Sequence, residues 1–330
     1  MSLHVVNAGP LTTLQDLGRT GYLRFGVNQS GAMDAVAATL CWRLLEQSPG
    51  ATPLIEIPLG GLSVTVDTAT SIAVVSTGFR ILRDGESCGA SARLTVHPGQ
   101  SLEIKAGPHG RFAYLGLHAD WALQPVLGAY ATHVRSGVGP HGALAAGDRF
   151  ETDAKPLLSE RINLPAFDHG EPVLRTIAGP QVDYFSDDSV DRFHSQGWTV
   201  APASDRMATS LIGEPLTHRG SHDILSDGIA FGAVQIPGSG QPFVLMADRG
   251  TTGGYPKIAT VISADLPRVA QARPGDSLKF ETCTLDQAAL IRQQQSQAMS
   301  EWLRTPSELD SAALLSANLI SGVVTARTES

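Results

Sequence analysis

The residues best suited to chemistry lie in one run, Asp248-Arg249-Gly250-Thr251-Thr252-Gly253-Gly254-Tyr255-Pro256-Lys257. Its three glycines give the backbone freedom to aim N–H groups together at an anion or a carbonyl oxygen, and Asp248, Arg249 and Lys257 bracket that nest. On this reading Lys257 stabilises a polarised carbonyl or phosphate, and Asp248 positions either Lys257 or a water. Thr251 and Thr252 offer hydroxyls to the same oxygen, and Tyr255 walls the pocket. A solvated Gly-rich turn carrying a mutual Asp248–Lys257 ion pair is the competing reading. The run is no P-loop, because no Gly-Lys pair occurs anywhere in the chain.

Three further clusters combine Gly, Asp, Arg and Gln outside any helical pattern, as loops lining a cleft do. The first runs from Leu11 to Tyr22, with Gln15, Asp16 and Arg19, and continues through Gly26 to Asp34. The second is Ser204-Asp205-Arg206-Met207, where Asp205 and Arg206 are expected to pair with each other or to hold a substrate carboxylate. The third contains Gln235 and Gln241, amides able both to donate and to accept hydrogen bonds at a pocket wall. His218 and His222 flank Gly220, so an exposed hairpin is favoured over a metal-binding helix. Three distant cysteines form no Cys-x-x-Cys pair, and no metal site is expected.

The elements that must carry these loops are mostly strands. A length of 330 residues sets an expectation of two domains, and 34 glycines with 20 prolines favour a turn-rich β class. Pro242–Ala247 reads as a buried strand entering the glycine run, and Ile258–Ile262 as the strand leaving it. Both halves open on a strand ending in Gly-Pro (Gly9-Pro10, Gly179-Pro180) and close on a Gly-Asp turn feeding a strand (Gly147-Asp148, Gly275-Asp276). The stretch Glu151–Pro172 reads as a patternless linker. Helices are expected over Ala32–Leu45, over Asp187–His194 behind an N-cap at Ser186, and over Leu285–Arg304, with a last one from Thr305-Pro306 to about Ser321. The divisions are an N-terminal module over 1–165, a C-terminal module over 166–284 and a helical tail over 285–330.

A formal charge of -8 without a basic stripe argues against nucleic acid or an anionic membrane as partner. No apolar run is long enough to span a bilayer, and the start has no export signal, so the cytoplasm is the expected compartment.

Taken together, the four clusters resemble the allophanate hydrolase subunit 2 family, also described as the C subunit of 5-oxoprolinase. Its module recurs in the carboxyltransferase part of urea carboxylase and in the antagonist of a sporulation-kinase inhibitor. The resemblance runs from about Val5 to about Gln295. It implies a mainly β fold of two cyclophilin-like β-barrel modules with a few short helices. It also implies work alongside a homologue of the 5-oxoprolinase B subunit and a lactam-utilisation subunit in an ATP-dependent opening of 5-oxo-L-proline to L-glutamate. The ATP used by such a complex is not expected to bind this chain through a P-loop, and no lysine sits beside a methionine as a biotin acceptor would require. Two alternatives follow from the same resemblance: a carboxyltransferase module served by carboxybiotin on another protein, and a non-catalytic antagonist that binds a kinase inhibitor related to the B subunit. Gly253, Gly254, Tyr255, Gln15, Asp16 and Arg19 join the substrate-binding candidates. The chain departs from the family's usual pattern at Thr20, at Asn28-Gln29 where Pro-Pro is common, and at Ala129-Tyr130-Ala131 where Ser-Arg-Ser is common.

Overall fold

The computed structural model describes residues 2–158 and 162–304. The helix expected from Thr305 lies outside them. The architecture is mainly β, as the sequence implied.

In the first half, a seven-stranded sheet has Ser2–Ala8 in its middle, between Arg149–Ala154 and Leu62–Val66. A six-stranded sheet places Thr70–Ser76 and Ala113–Leu117 at its centre, with Leu54–Ile57 and Thr13–Gln15 towards one edge. Inward residues of both sheets meet in one apolar cluster containing Leu3, Val64, Ile55, Val74 and Leu115. In Leu62–Val66 buried and half-buried positions alternate, the period of a strand with one face on the core. All seven residues of Thr70–Ser76 are buried, since that strand lies between a packed sheet and a helix.

The second half is a closed barrel of seven strands, in the ring order Val173–Ala178, Lys257–Val261, Ala233–Gln235, Phe243–Leu245, Ala208–Ile212, Trp198–Val200 and Ser277–Thr282. Closure leaves no edge strand open. Phe243–Leu245 and Lys257–Val261 are the strands expected on either side of the glycine run.

Four α-helices complete the described residues: α1 (Ala35–Leu44), α2 (Asp187–Ser195), α3 (Leu266–Gln271) and α4 (Leu285–Trp302). α1 begins later than its hydrophobic spacing suggested, because Asp34 caps it by accepting from the N–H groups of Val36 and Ala37. Ser186 caps α2 as expected. Thr284 and Gln287 form a reciprocal capping box at the start of α4. No helix among the described residues is long and apolar enough to cross a membrane.

The expectation of a patternless linker over Glu151–Pro172 fails in part, because the strand expected after Gly147-Asp148 runs on into it and a second short strand lies within it. Arg149–Ala154 is a strand of the first sheet, and Ile162–Leu164 pairs with Ser91–Arg93 at the edge of the second. Short strands with few apolar residues leave no period to detect.

One apolar cluster spans both halves, joining Leu40, Trp42 and Tyr114 to Phe193, Trp198 and Phe280. Polar clamps surround it. Gln271 reaches from α3 to the backbone of Arg111 and Phe112 and to Asp34, while Arg273 grips the carbonyls of Gly107, His109 and Gly110.

Candidate functional site

Between the halves lies a cavity of about 310 Å³, lined by Leu11, His133, Val134 and Arg135 from the first half and by Asp205, Arg206, Met207 and Asp248 from the second. Three of the residues singled out in the sequence, Asp205, Arg206 and Asp248, meet there.

Their pairing differs from the expected one. Arg206 does not pair with Asp205. Its Nε and Nη2 donate to both carboxylate oxygens of Asp248, at 2.9 and 3.0 Å, its Nη1 donates to Glu56, and Nη2 also reaches the carbonyl of Gly31 at 2.8 Å. Burial works against the Arg206 charge, but Glu56 and Asp248 outweigh it and hold the guanidinium above its ordinary pKa. Asp205 instead turns its own loop, accepting from the N–H groups of Met207 and Ala208, and stands 3.8 Å from the exposed Arg135.

Nor does Asp248 pair with Lys257. The Lys257 ammonium donates to Asp227 at 2.8 Å and lies close to the Gly228 carbonyl, with its side chain only 4% exposed. The Lys257 hydrogen bond is the main influence holding the Asp227 carboxyl below its usual range. Lys257, and Thr251 to Tyr255 with it, are absent from the cavity lining. The glycine run is also not a nest. A nest requires left-handed φ angles, and Gly250, Gly253 and Gly254 are absent from the positive-φ residues. Thr252–Gly253 pairs instead with Asp227–Gly228, and the carbonyls of Thr251 and Gly254 accept from Ile229 and Ile224. A Cβ at Gly253 would stand 2.7 Å from the Ile229 side-chain tip and 2.8 Å from the Gln235 amide, so a side chain there would require those two tips to move. Asp227→Asn and Lys257→Ala should therefore each lower the thermal midpoint, and the double variant should lie close to Lys257→Ala alone, because both remove one pair. Additive losses in thermal denaturation would contradict the pairing.

Gln235 and Gln241 are spent on structure. Gln235 donates to the Tyr255 carbonyl, and Gln241 exchanges hydrogen bonds with both backbone groups of Gly213. Gln15, Asp16 and Arg19 brace the cavity wall from behind. Gln15 donates to the carbonyl of Thr132, next to His133, and accepts from Gly31. Asp16 holds the N–H groups of Gly18 and Tyr130, and Arg19 donates to the Ala131 carbonyl. The Ala129-Tyr130-Ala131 segment thus serves through its backbone, with both alanines buried. Asn28 and Gln29 carry another departure. Asn28 donates to the carbonyls of Asp248 and Arg249, and Gln29 accepts from the Arg249 guanidinium at 3.1 Å. Proline in either place could not make these contacts, so the substitutions tie the Asp248 loop to the first half.

Sequence reading passed over His133, Arg135 and Glu56. His133 caps a short 3-10 turn: its Nδ1 accepts from the Ser136 N–H at 3.2 Å and contacts the Ser136 hydroxyl. With Nδ1 occupied as acceptor, the neutral imidazole carries its proton on Nε2. Glu56 is fully buried and accepts from the Met33 N–H and the Tyr114 hydroxyl at 2.8 and 2.7 Å. The Tyr114 oxygen accepts in turn from the Asp34 N–H, and Asp34 binds His169 and Gln271, each at 2.8 Å. A buried polar chain thus runs from Asp248 to His169. Long-range partners of this kind leave no local pattern, although a Glu inside the apolar strand Leu54–Ile57 is a signal, since a buried carboxylate needs partners.

Burial alone would raise the Asp34 pKa, but His169 and the other donors reverse this and leave it below its ordinary value of 3.8. The unfolded chain therefore takes up this proton first. The Asp34 contribution to stability is complete above about pH 4 and is lost as pH falls through the lower folded value. Asp34→Asn should be less stable at neutral pH and show a shallower acid limb, measured as urea midpoint against pH; parallel acid limbs would contradict the assignment.

Among the described residues no group of His, Cys, Asp or Glu is arranged to hold a metal ion, and His222 is exposed beside Asp223.

Residues 25–282 match the family model for the carboxyltransferase domain, subdomains A and B. The chain belongs to this carboxyltransferase-domain family. It is 34% identical over 292 residues to a Haemophilus influenzae protein named as the C subunit of 5-oxoprolinase, covering 88% of this chain and 94% of the relative. It is 33% identical over 299 residues to the corresponding 5-oxoprolinase C subunit of Escherichia coli K12, covering 89% and 95%. Its fold also matches part of a crystal structure of the Kluyveromyces lactis urea amidolyase, with a TM-score of 0.82 at 24% identity over 91% of this chain and 20% of that one.

Proposed function

We propose that this chain is the C subunit of an ATP-dependent 5-oxoprolinase and that the cavity lined by Asp248 and His133 holds the lactam. The observation that carries the reading is end-to-end similarity to two proteins named as that C subunit. The cavity adds chemistry suited to an amide. Asp248 keeps lone pairs beyond those taken by Arg206 and accepts the lactam N–H, the His133 Nε2–H donates to the carbonyl oxygen, and Arg135 at the mouth takes the ring carboxylate. A lactam is a resonance-stabilised amide, so activation of its oxygen by ATP lowers the barrier to water attack. The assembly includes a homologue of the B subunit and a lactam-utilisation subunit, and this chain, with no Gly-Lys pair, does not hold the nucleotide through a P-loop. The test is to purify the three proteins together and assay ATP-dependent glutamate formation from 5-oxo-L-proline; a confirmed complex without product overturns the reading.

The carboxyltransferase name of the family favours a second reading, in which carboxybiotin on another protein donates to a urea-like or amide substrate in the same cavity. It predicts bicarbonate incorporation that avidin blocks.

A further inference from the structure

A second cavity, of about 650 Å³, opens between the halves beside the segment Phe167–Gly170. A smaller one of about 290 Å³ lies against α4, and His169 and Arg268 line both. We propose that this paired cavity is a ligand site of its own, taking a small organic carboxylic acid with an apolar body, anchored by Arg268, with His169 as part of its wall.

The charge balance motivates the anion. Asp265 is completely buried, and two guanidiniums share its single carboxylate: Arg175 donates to both of its oxygens and Arg268 donates through Nη1 alone. Asp265 alone does not balance the two guanidiniums, and the Nη2 of Arg268 has no hydrogen-bond partner among the described residues. Asp168 stands nearby, but it is exposed and spends one oxygen on the Gly170 N–H. An incoming carboxylate supplies what the guanidinium lacks.

His169 forms a fixed part of the wall. Its Nε2 is held on Asp34 at 2.8 Å and the ring is only 8% exposed. In the neutral ring Nε2–H donates to Asp34 and Nδ1 is an acceptor, so His169 shapes the cavity and the carboxylate is left to Arg268. Phe167, Ala272 and Leu278 give the same cavity an apolar wall for a short hydrocarbon body. Asp168 and Asp276 at the rim penalise a doubly charged phosphate more than a singly charged carboxylate.

Titration calorimetry on the full chain with hexanoate, hexylamine and inorganic phosphate tests the assignment. Hexanoate should bind saturably in the millimolar range, with hexylamine and phosphate far weaker. Arg268→Gln should weaken hexanoate about tenfold or more, and Arg268→Lys should retain part of the affinity. Asp168→Asn should tighten binding, a gain that misfolding cannot mimic. Arg135→Ala, in the other cavity, should leave hexanoate unaffected. The proposal is overturned by absence of saturable hexanoate binding, by hexylamine or phosphate binding as well, by indifference to the Arg268 or Asp168 changes, or by loss in Arg135→Ala.

Discussion

Arg206→Met is expected to lower unfolding stability by about 3–5 kcal/mol, the usual cost of removing one member of a buried ion cluster. Two carboxylates depend on this guanidinium, and one of them, Glu56, has no access to water. Methionine fills the space but leaves Glu56 with only the Met33 N–H and the Tyr114 hydroxyl, and Asp248 without its two-point partner. A triple variant, Glu56→Gln with Arg206→Met and Asp248→Asn, should recover part of the loss, because removing a whole ion set costs less than stranding half of it. Urea unfolding followed by tryptophan fluorescence reports both. A single variant within about 1 kcal/mol of the parent would mean that the cluster is hydrated and contributes as a surface pair does.

On the proposed lactam reading, His133→Gln is expected to lower kcat/KM of the assembled enzyme by about a hundredfold to a thousandfold, the range for loss of a positioned proton donor or oxyanion partner. The fall should appear mainly in kcat, because the carbonyl oxygen gains charge on the way to the transition state. Ser136→Ala removes the hydroxyl at Nδ1 but keeps the backbone donor, and should cost less. Arg135→Ala should raise KM with kcat nearly unchanged, since the ring carboxylate is held alike in ground and transition states. Steady-state rates against 5-oxo-L-proline separate these patterns. Unchanged kcat in His133→Gln would move the amide out of this cavity.

Local chemistry made much of the framework legible. Gly147 and Gly275 adopt the positive φ that their Gly-Asp turns called for, and each turn feeds the strand expected after it. Ser186 and Thr284 cap their helices because a hydroxyl at that position has a backbone donor within reach whatever the rest of the fold does. Chain-distant pairing was not legible. Arg206 finds Glu56 across 150 positions, and Lys257 finds Asp227 across 30, and no periodicity encodes either partner. The glycine run misled for a related reason. A glycine permits unusual backbone angles without requiring them, and Gly253 lies in a short strand paired with Asp227–Gly228, without a positive φ.

The buried chain from Asp248 through Arg206, Glu56 and Tyr114 to Asp34 and His169 crosses from the barrel into the sheets and back. Cut into two separate polypeptides, the barrel would be left with a guanidinium paired to Asp248 alone and the sheets with two carboxylates, Glu56 and Asp34, turned inward without their cross-half partners. Neither piece would persist by itself, yet mixed during refolding the pieces should find each other, as complementing fragments do. A gene fission here would survive only if both products were made together.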